Sequence, residues 1–190
     1  MWWWVWGIVA VLLVATYLTL LAARVNRLHR RAATATAALD AALVRRAAAA
    51  AVLAEELAVS QPELANDLYA AARAALDAEP AEREAAENDL TLALRRTPAP
   101  ADVIEAVERG DGQPAEPDHA AWANVATASR KVRLARQVHT DVVRDALAVR
   151  RRIPVRLLGL ARRHPEPAYF DVDDPTLRPL PAAEDRATRS

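Results

Sequence analysis

The chain has 190 residues, and its 25 basic and 25 acidic residues give a formal net charge of zero. This balance argues against a nucleic-acid-binding domain, because such domains carry a clear excess of positive charge. The sequence contains no cysteine, which excludes disulfide scaffolds, thiolate metal sites and cysteine nucleophiles. Only four glycines occur in a chain rich in alanine, the strongest helix former. The composition therefore predicts an all-α protein.

The first segment, MWWWVWGIVAVLLVATYLTLLAA at 1–23, contains no charged side chain. About 20 apolar residues in a helix cross the hydrocarbon core of a bilayer. A cleaved signal peptide is the alternative, and Ala22 and Ala23 offer small residues for cleavage. However, a signal peptide needs basic residues before its apolar core, and none is present here. We therefore predict an uncleaved transmembrane anchor.

Basic residues on one side of this segment predict its orientation. Four arginines follow it, whereas no Lys or Arg precedes it. Because Lys and Arg favour the cytoplasmic side, we expect the N-terminus outside and the rest of the chain in the cytoplasm. Four tryptophans at the other end would then lie among the outer lipid headgroups. The predicted membrane-interface residues are Trp2, Trp3, Trp4, Trp6, Arg24, Arg27, Arg30 and Arg31.

Two long stretches without proline, 1–61 and 118–153, each predict one long helix, because proline breaks a helix interior. The first helix should run to about Val59, with a buried stripe interrupted by charged residues such as Arg46. The last should run from about Asp118 to Arg152, with an apolar seam that includes His139. Shorter helices are expected between them, one capped by Ser60 and Glu63, one starting at Pro80, and one over 101–109.

Long helices joined by short connections pack antiparallel. The predicted fold is an N-terminal transmembrane helix that continues into an antiparallel bundle of three to four long helices. The expected organisation is an anchor at 1–23, a helical bundle at 24–164 and a proline-rich, disordered tail at 165–190.

Motifs for enzymatic chemistry are missing from the sequence. It has no G-x-G-x-x-G, P-loop, G-x-S-x-G or H-E-x-x-H pattern. The E-x-x-H spacing of Glu116 and His119 occurs once, whereas carboxylate di-metal bundles need a second copy and two more glutamates. We therefore predict a non-enzymatic protein without catalytic, cofactor-binding or metal-binding residues.

The segment 130–163 is strongly basic and allows three interpretations. Nucleic-acid binding is disfavoured because the segment has no aromatic residue that could stack on a base. Its basic side chains could pack against the acidic segment 55–118. Its C-terminal arginines could instead contact anionic lipid near a cytoplasmic membrane surface. The candidates for lipid contact are Arg150, Arg151, Arg152, Arg156, Arg162 and Arg163.

The same segment carries a family-like pattern. Its residues are Ala135, Arg136, Gln137, Asp141, Val143, Arg144 and Asp145, followed by Pro154 and then Tyr169 and Phe170. This order resembles the C-terminal signature of the LemA family. The chain is similar to a divergent member of that family. His139 and Thr140 stand where the family has tyrosine and asparagine. Tyr169 and Phe170 are expected to dock on the bundle or to recognise a partner.

The resemblance implies a bacterial single-pass membrane protein with a helical bundle and no established enzymatic activity. Together with the anchor, it predicts a scaffold or adaptor at the inner face of the cytoplasmic membrane. The expected partners are the lipid bilayer and other membrane proteins or further copies of the chain. The alternative is a module that binds anionic lipid or nucleic acid through the basic helix 130–163.

Overall fold

The computed structural model describes residues 2–109, 119–151 and 169–170. Within these ranges the chain forms five α-helices and no β-strand, so the all-α prediction is confirmed. The helices are α1 (Trp2–Leu57), α2 (Pro62–Asp77), α3 (Arg83–Arg96), α4 (Ala101–Arg109) and α5 (Ala120–Arg150).

Helix α1 is continuous over 56 residues, as its lack of proline predicts. It ends at Leu57, whose carbonyl oxygen accepts a hydrogen bond from the Gln61 amide at 2.8 Å. The predicted capping box at Ser60 and Glu63 is wrong. Gln61 is the N-cap of α2, and the Ser60 hydroxyl donates back to the Leu57 carbonyl at 3.4 Å. Ser60 therefore lies in the turn that follows α1, and its hydroxyl bonds to the end of α1 instead of capping α2.

The short helices follow the prolines of the sequence. Helix α3 begins at Arg83, three residues after the predicted start at Pro80, and residues 80–82 form a turn. Pro98 and Pro100 separate α3 from α4 because proline cannot occupy the interior of a continuous helix. Helix α4 is therefore a separate element, as predicted.

The chain divides into two compact units. One unit contains residues 38–136 and Phe170, and its main core receives buried side chains from all five helices. Half of these side chains are alanine, which lets helices approach closely but buries less apolar area than leucine. The main core consists of Ala47, Ala50, Leu53, Ala54, Leu68, Ala72, Ala75, Leu90, Leu94, Val103, Ala121, Trp122, Val125 and Ala126.

A second apolar cluster in this unit joins α1 to α5. Leu39, Ala42 and Leu43 of α1 pack with Val132 of α5, and the half-buried Phe170 lies against them. Val125, earlier in α5, packs in the main core with α1 residues that come later in the chain. The two helices therefore run antiparallel here. Of the two aromatic residues expected to dock on the bundle or to recognise a partner, Phe170 packs against this cluster.

The other unit contains residues 2–37, the end of α5 and Tyr169. Leu21 and Val25 of α1 form a buried cluster with Val149 of α5, and Leu28 packs against it. Val149 lies one residue before the end of α5. The C-terminal end of α5 is therefore beside the last residues of the uncharged segment of α1.

Candidate functional site

The N-terminal third of α1 has apolar side chains exposed on every side. Val5, Leu12 and Leu20 are 59%, 61% and 66% exposed, although a helix in a soluble core would bury at least one face. Within the described residues, α1 is the one helix that is long and apolar enough to cross a membrane. Residues 2–23 extend about 33 Å at the rise of an α-helix, which matches a hydrocarbon core of about 30 Å.

The two threonines in this segment are compatible with lipid. The Thr16 hydroxyl donates to the Leu12 carbonyl at 2.8 Å, and the Thr19 hydroxyl donates to the Thr16 carbonyl at 2.8 Å. Each threonine therefore satisfies its donor within the helix, as a polar group in a hydrocarbon environment must.

Four tryptophans lie at the start of the helix and are 67–85% exposed. Successive positions in an α-helix differ by about 100°. Trp2, Trp3 and Trp4 therefore point in three different directions, and Trp6 points close to Trp2. A ring distributed in this way suits an aromatic belt at a membrane surface better than a binding face for one partner.

Arginines surround the opposite end of the apolar segment. We call Arg24, Arg27, Arg30, Arg31, Arg150 and Arg151 the arginine collar. The four α1 arginines are exposed, Arg151 is exposed and Arg150 is half-buried. Among the described residues, none of the four α1 arginines or Arg151 forms an ion pair. The other predicted lipid-contact residues, Arg152, Arg156, Arg162 and Arg163, lie outside the described residues.

A buried charged cluster lies deeper in the bundle. Arg46 of α1 is fully buried and donates through Nη1 to Glu87 Oε2 of α3 at 3.0 Å. Its Nη2 donates to Thr91 Oγ1 at 2.7 Å. The Thr91 hydroxyl in turn donates to the Glu87 carbonyl at 2.8 Å. Arg46 Nε and Glu87 Oε1 have no hydrogen-bond partner within the described part of the chain.

Desolvation dominates the electrostatics of this cluster. Burial lowers the pKa of Arg46 and raises the pKa of Glu87, each against the opposing attraction of its partner. Both directions disfavour the charged form, as expected where removal from water outweighs the attraction between the two partners. Sequence reasoning missed this cluster and treated Arg46 as an interruption of the apolar stripe. The available signal was spacing, because Arg46 lies three residues after Leu43 and four before Ala50, and both are fully buried.

The basic side chains of 130–163 were expected to pack against the acidic segment 55–118, and the first three of them form no ion pair with its described carboxylates. Lys131 and Arg133 are exposed and Arg130 is half-buried, and none of them pairs with a carboxylate of a described residue. The described ion pair between the acidic segment and the residue before α5 joins His119 Nδ1 to Asp102 Oδ1 at 2.9 Å. These three side chains of α5 are at least partly in contact with water, and they do not pair with a described carboxylate of the acidic segment.

Residues of the LemA-like pattern have different environments. Val143 is buried, Arg136 and Phe170 are half-buried, and Gln137, Asp141, Arg144 and Asp145 are exposed. Arg144 pairs with Asp141 of its own helix at 3.4 Å. Tyr169 is 51% exposed, and Pro154 lies outside the described residues. Among the described residues of this pattern, Val143 is buried, and Ala135 and Phe170 pack against the cluster of Leu39, Ala42, Leu43 and Val132.

Helices α2 and α3 line an open groove with a volume of about 290 Å³. Its lining residues are Leu64, Asp67, Ala70, Ala71, Asp89, Leu92, Ala93 and Arg96. This set contains two carboxylates but no hydroxyl, thiol or imidazole that could act as a nucleophile or a histidine base. In the described ranges, no group of three or more metal-ligating side chains could hold a metal ion.

Comparison with known proteins found no relative of the chain. No protein-family model, no curated protein and no solved structure matches the chain.

Proposed function

We propose that the chain is a single-pass membrane protein whose helical bundle acts as a non-enzymatic scaffold or adaptor. Its place would be the inner face of a bacterial cytoplasmic membrane. One observation carries the proposal: α1 is a single helix that is exposed and apolar in its first third and packed in its remainder. The exposed apolar part would cross the bilayer, and the packed part would belong to the bundle.

The charge distribution supports the proposed orientation. The arginine collar follows the apolar segment, and the tryptophans precede it. In the cytoplasmic membrane, loops rich in Lys and Arg stay on the inner side. The N-terminus would therefore be outside, and α2 to α5 would lie in the cytoplasm.

Membership of the LemA family is part of the proposal. The order of the pattern between Arg136 and Asp145, and the packing of Phe170 against α1 and α5, support it. The aromatic and amide positions of the signature are absent at His139 and Thr140. We therefore propose a divergent member, whose partners are other membrane proteins or copies of itself.

Cysteine labelling tests the anchor and its orientation, because the natural chain has no cysteine to interfere. We would introduce Ala33→Cys, at an exposed position after the collar, and Trp2→Cys at the other end. Intact cells should label only the Trp2→Cys variant with a membrane-impermeant maleimide. Both variants should stay in the membrane after a carbonate wash. Labelling of Ala33→Cys on intact cells would contradict the orientation, and release by carbonate would contradict the anchor.

A second candidate function is binding of a polyanion, either anionic lipid or nucleic acid, through the basic face of α5. The specific observation is that Arg130, Lys131 and Arg133 have no carboxylate partner among the described residues. Full-length protein in zwitterionic nanodiscs should then bind duplex DNA or anionic vesicles less tightly as salt increases. Changing all three residues to glutamate should abolish this binding, and unchanged binding would reject the candidate.

A further inference from the structure

The end of α5 lies at the boundary of the apolar segment of α1. Val149 packs with Leu21 and Val25 in one buried cluster, and all three residues belong to the same compact unit. This contact brings Arg150 and Arg151 to the level of Arg24 along the α1 axis. The apolar segment of α1 therefore ends at the same level as the C-terminal end of α5.

The charge at this boundary is strongly one-sided. Residues 24–31 and 144–151 contain four and three arginines, and Asp145 is their one acidic residue. Arg144 already pairs with Asp141. In the described part of the chain, the four α1 arginines and Arg151 have no carboxylate partner. At least five guanidinium groups thus have no counter-charge among the described residues, and they lie beside a surface that is proposed to face phospholipid.

The collar surrounds two helices and does not form a pocket. Arg24, Arg27 and Arg30 follow one another at three-residue steps and therefore spread over one side of α1. Arg151 stands on a second helix axis, about 8–10 Å away for packed helices. This arrangement can contact several headgroups at once, whereas a pocket would select one ligand.

Guanidinium chemistry suits the phosphodiester of a lipid headgroup. A guanidinium offers planar paired donors that match two phosphate oxygens, and it remains charged at any physiological pH. A phosphatidylglycerol headgroup carries a net negative charge, whereas choline neutralises the phosphate of phosphatidylcholine. An uncompensated arginine therefore gains electrostatic attraction only from the anionic lipid.

We propose that the arginine collar binds a shell of anionic phospholipids around the end of the α1–α5 pair. This inference rests on the proposed single-pass membrane placement. It extends that placement because α5, and not the anchor alone, contributes to the lipid contact. The bundle would then be held at the bilayer at two points, one on each helix.

The test uses full-length protein in vesicles that contain trace spin-labelled phosphatidylglycerol or spin-labelled phosphatidylcholine. Electron paramagnetic resonance measures the fraction of each label that contact with protein immobilises. Natural protein should prefer phosphatidylglycerol by about fivefold or more, the effect of one cation near an anionic surface. The preference should fall at 1 M salt, where the screening length shrinks from about 10 Å to about 3 Å.

Three arginine substitutions assign the preference to the collar. The combined variant Arg24→Gln, Arg27→Gln and Arg151→Gln should show a preference at least fivefold weaker than that of the natural protein, because it removes three of the five exposed collar cations and takes them from both sides of the collar. The matched control, Arg45→Gln, Lys131→Gln and Arg133→Gln, removes three exposed cations of the other compact unit. The control should keep the full preference. Loss in the control with retention in the collar variant would assign lipid contact elsewhere and overturn the proposal.

Two further arms separate the possible failures. A carbonate wash of the same vesicles reports membrane insertion. Release of the protein would refute the proposed anchor, whereas insertion without lipid preference would refute the collar alone. Inorganic phosphate should displace phosphatidylglycerol no better than chloride at equal ionic strength. Stronger displacement by phosphate would show a site for free phosphate and overturn the assignment to lipid.

Discussion

Replacing Glu87 with leucine should leave the buried Arg46 guanidinium without its charged acceptor. The two side chains are fully buried and meet at 3.0 Å. Removing one member of a buried ion pair costs about 3–5 kcal/mol, because the remaining charge stays desolvated. Arg46 cannot escape this cost by losing its proton, since a guanidinium stays protonated in proteins. We expect Glu87→Leu to lose at least about 3 kcal/mol of unfolding free energy.

The opposite single substitution should be milder. Arg46→Met leaves Glu87 unpaired, but a carboxyl group can take up a proton and become neutral. Burial already raises the pKa of Glu87 and favours that response. The double variant Arg46→Met with Glu87→Leu should be as stable as the natural protein or about 1–4 kcal/mol more stable, because an apolar pair avoids desolvation.

Trp122 provides a local probe for this comparison. It is buried in the main core, and the other four tryptophans lie at the start of α1. A background with Trp2, Trp3, Trp4 and Trp6 changed to phenylalanine leaves one fluorescent indole. Urea unfolding of full-length protein in detergent micelles, followed by Trp122 emission, gives each free energy. The Arg73→Met variant is the control, because Arg73 pairs with Asp77 at an exposed position and should lose less than about 1 kcal/mol.

The pattern of the four free energies decides the outcome. Additive single effects would show no coupling between Arg46 and Glu87. A Glu87→Leu loss no larger than that of the Arg73 control would refute the claim that Arg46 is desolvated.

Three other predictions concern pH, the C-terminal aromatic pair and the span. Because burial raises the pKa of Glu87, its contribution to stability is present below the unfolded pKa of about 4.3 and is lost as pH rises through the folded pKa. Between pH 4 and pH 8, the free energy of unfolding in urea should decrease for the natural protein relative to the Glu87→Gln variant. A difference between the two free energies that stays constant over this range would contradict this. Phe170→Ala should lower the free energy of unfolding by about 1–2 kcal/mol, which is less than the loss of about 3–5 kcal/mol for a fully buried phenylalanine. Tyr169→Ala should change the free energy of unfolding little. Equal urea midpoints for these two variants would refute docking of Phe170. Leu12→Arg should reduce membrane insertion, measured by carbonate extraction, by about 3 kcal/mol, whereas Leu12→Ile should insert normally.

Features that depend on local sequence were predictable. The windows without proline predicted the extents of α1 and α5 to within a few residues. Three- and four-residue spacing predicted a buried stripe along α1, because one face of a helix repeats at that interval. Leu39, Leu43 and Leu53 are buried at this spacing. The exposed apolar segment 2–20 follows from the absence of charge alone.

Features that depend on distant contacts were not predictable in the same way. Arg46 finds its acceptor 41 residues later, and helical periodicity does not specify which faces of two helices meet. The position of Val149 beside Leu21 and Val25 depends on how the whole chain returns along α1. The sequence therefore left open whether the Arg150 end approaches the membrane. The expected contact of Lys131 and Arg133 with the acidic segment was not found among the described residues for the same reason. Opposite charges on two segments do not by themselves bring the segments into contact.

The depth of α1 in a bilayer tests the central claim most directly. Single spin labels placed at successive positions from Trp2 to Thr36 would report relative accessibility to oxygen, which concentrates in lipid, and to a water-soluble nickel chelate. We expect an oxygen preference that is greatest near Leu12 and Leu13, midway along residues 2–23. The preference should fall to the value of the aqueous phase by Arg24. Nickel accessibility that stays high from Trp2 to Leu20 would contradict the membrane anchor and every proposal that depends on it.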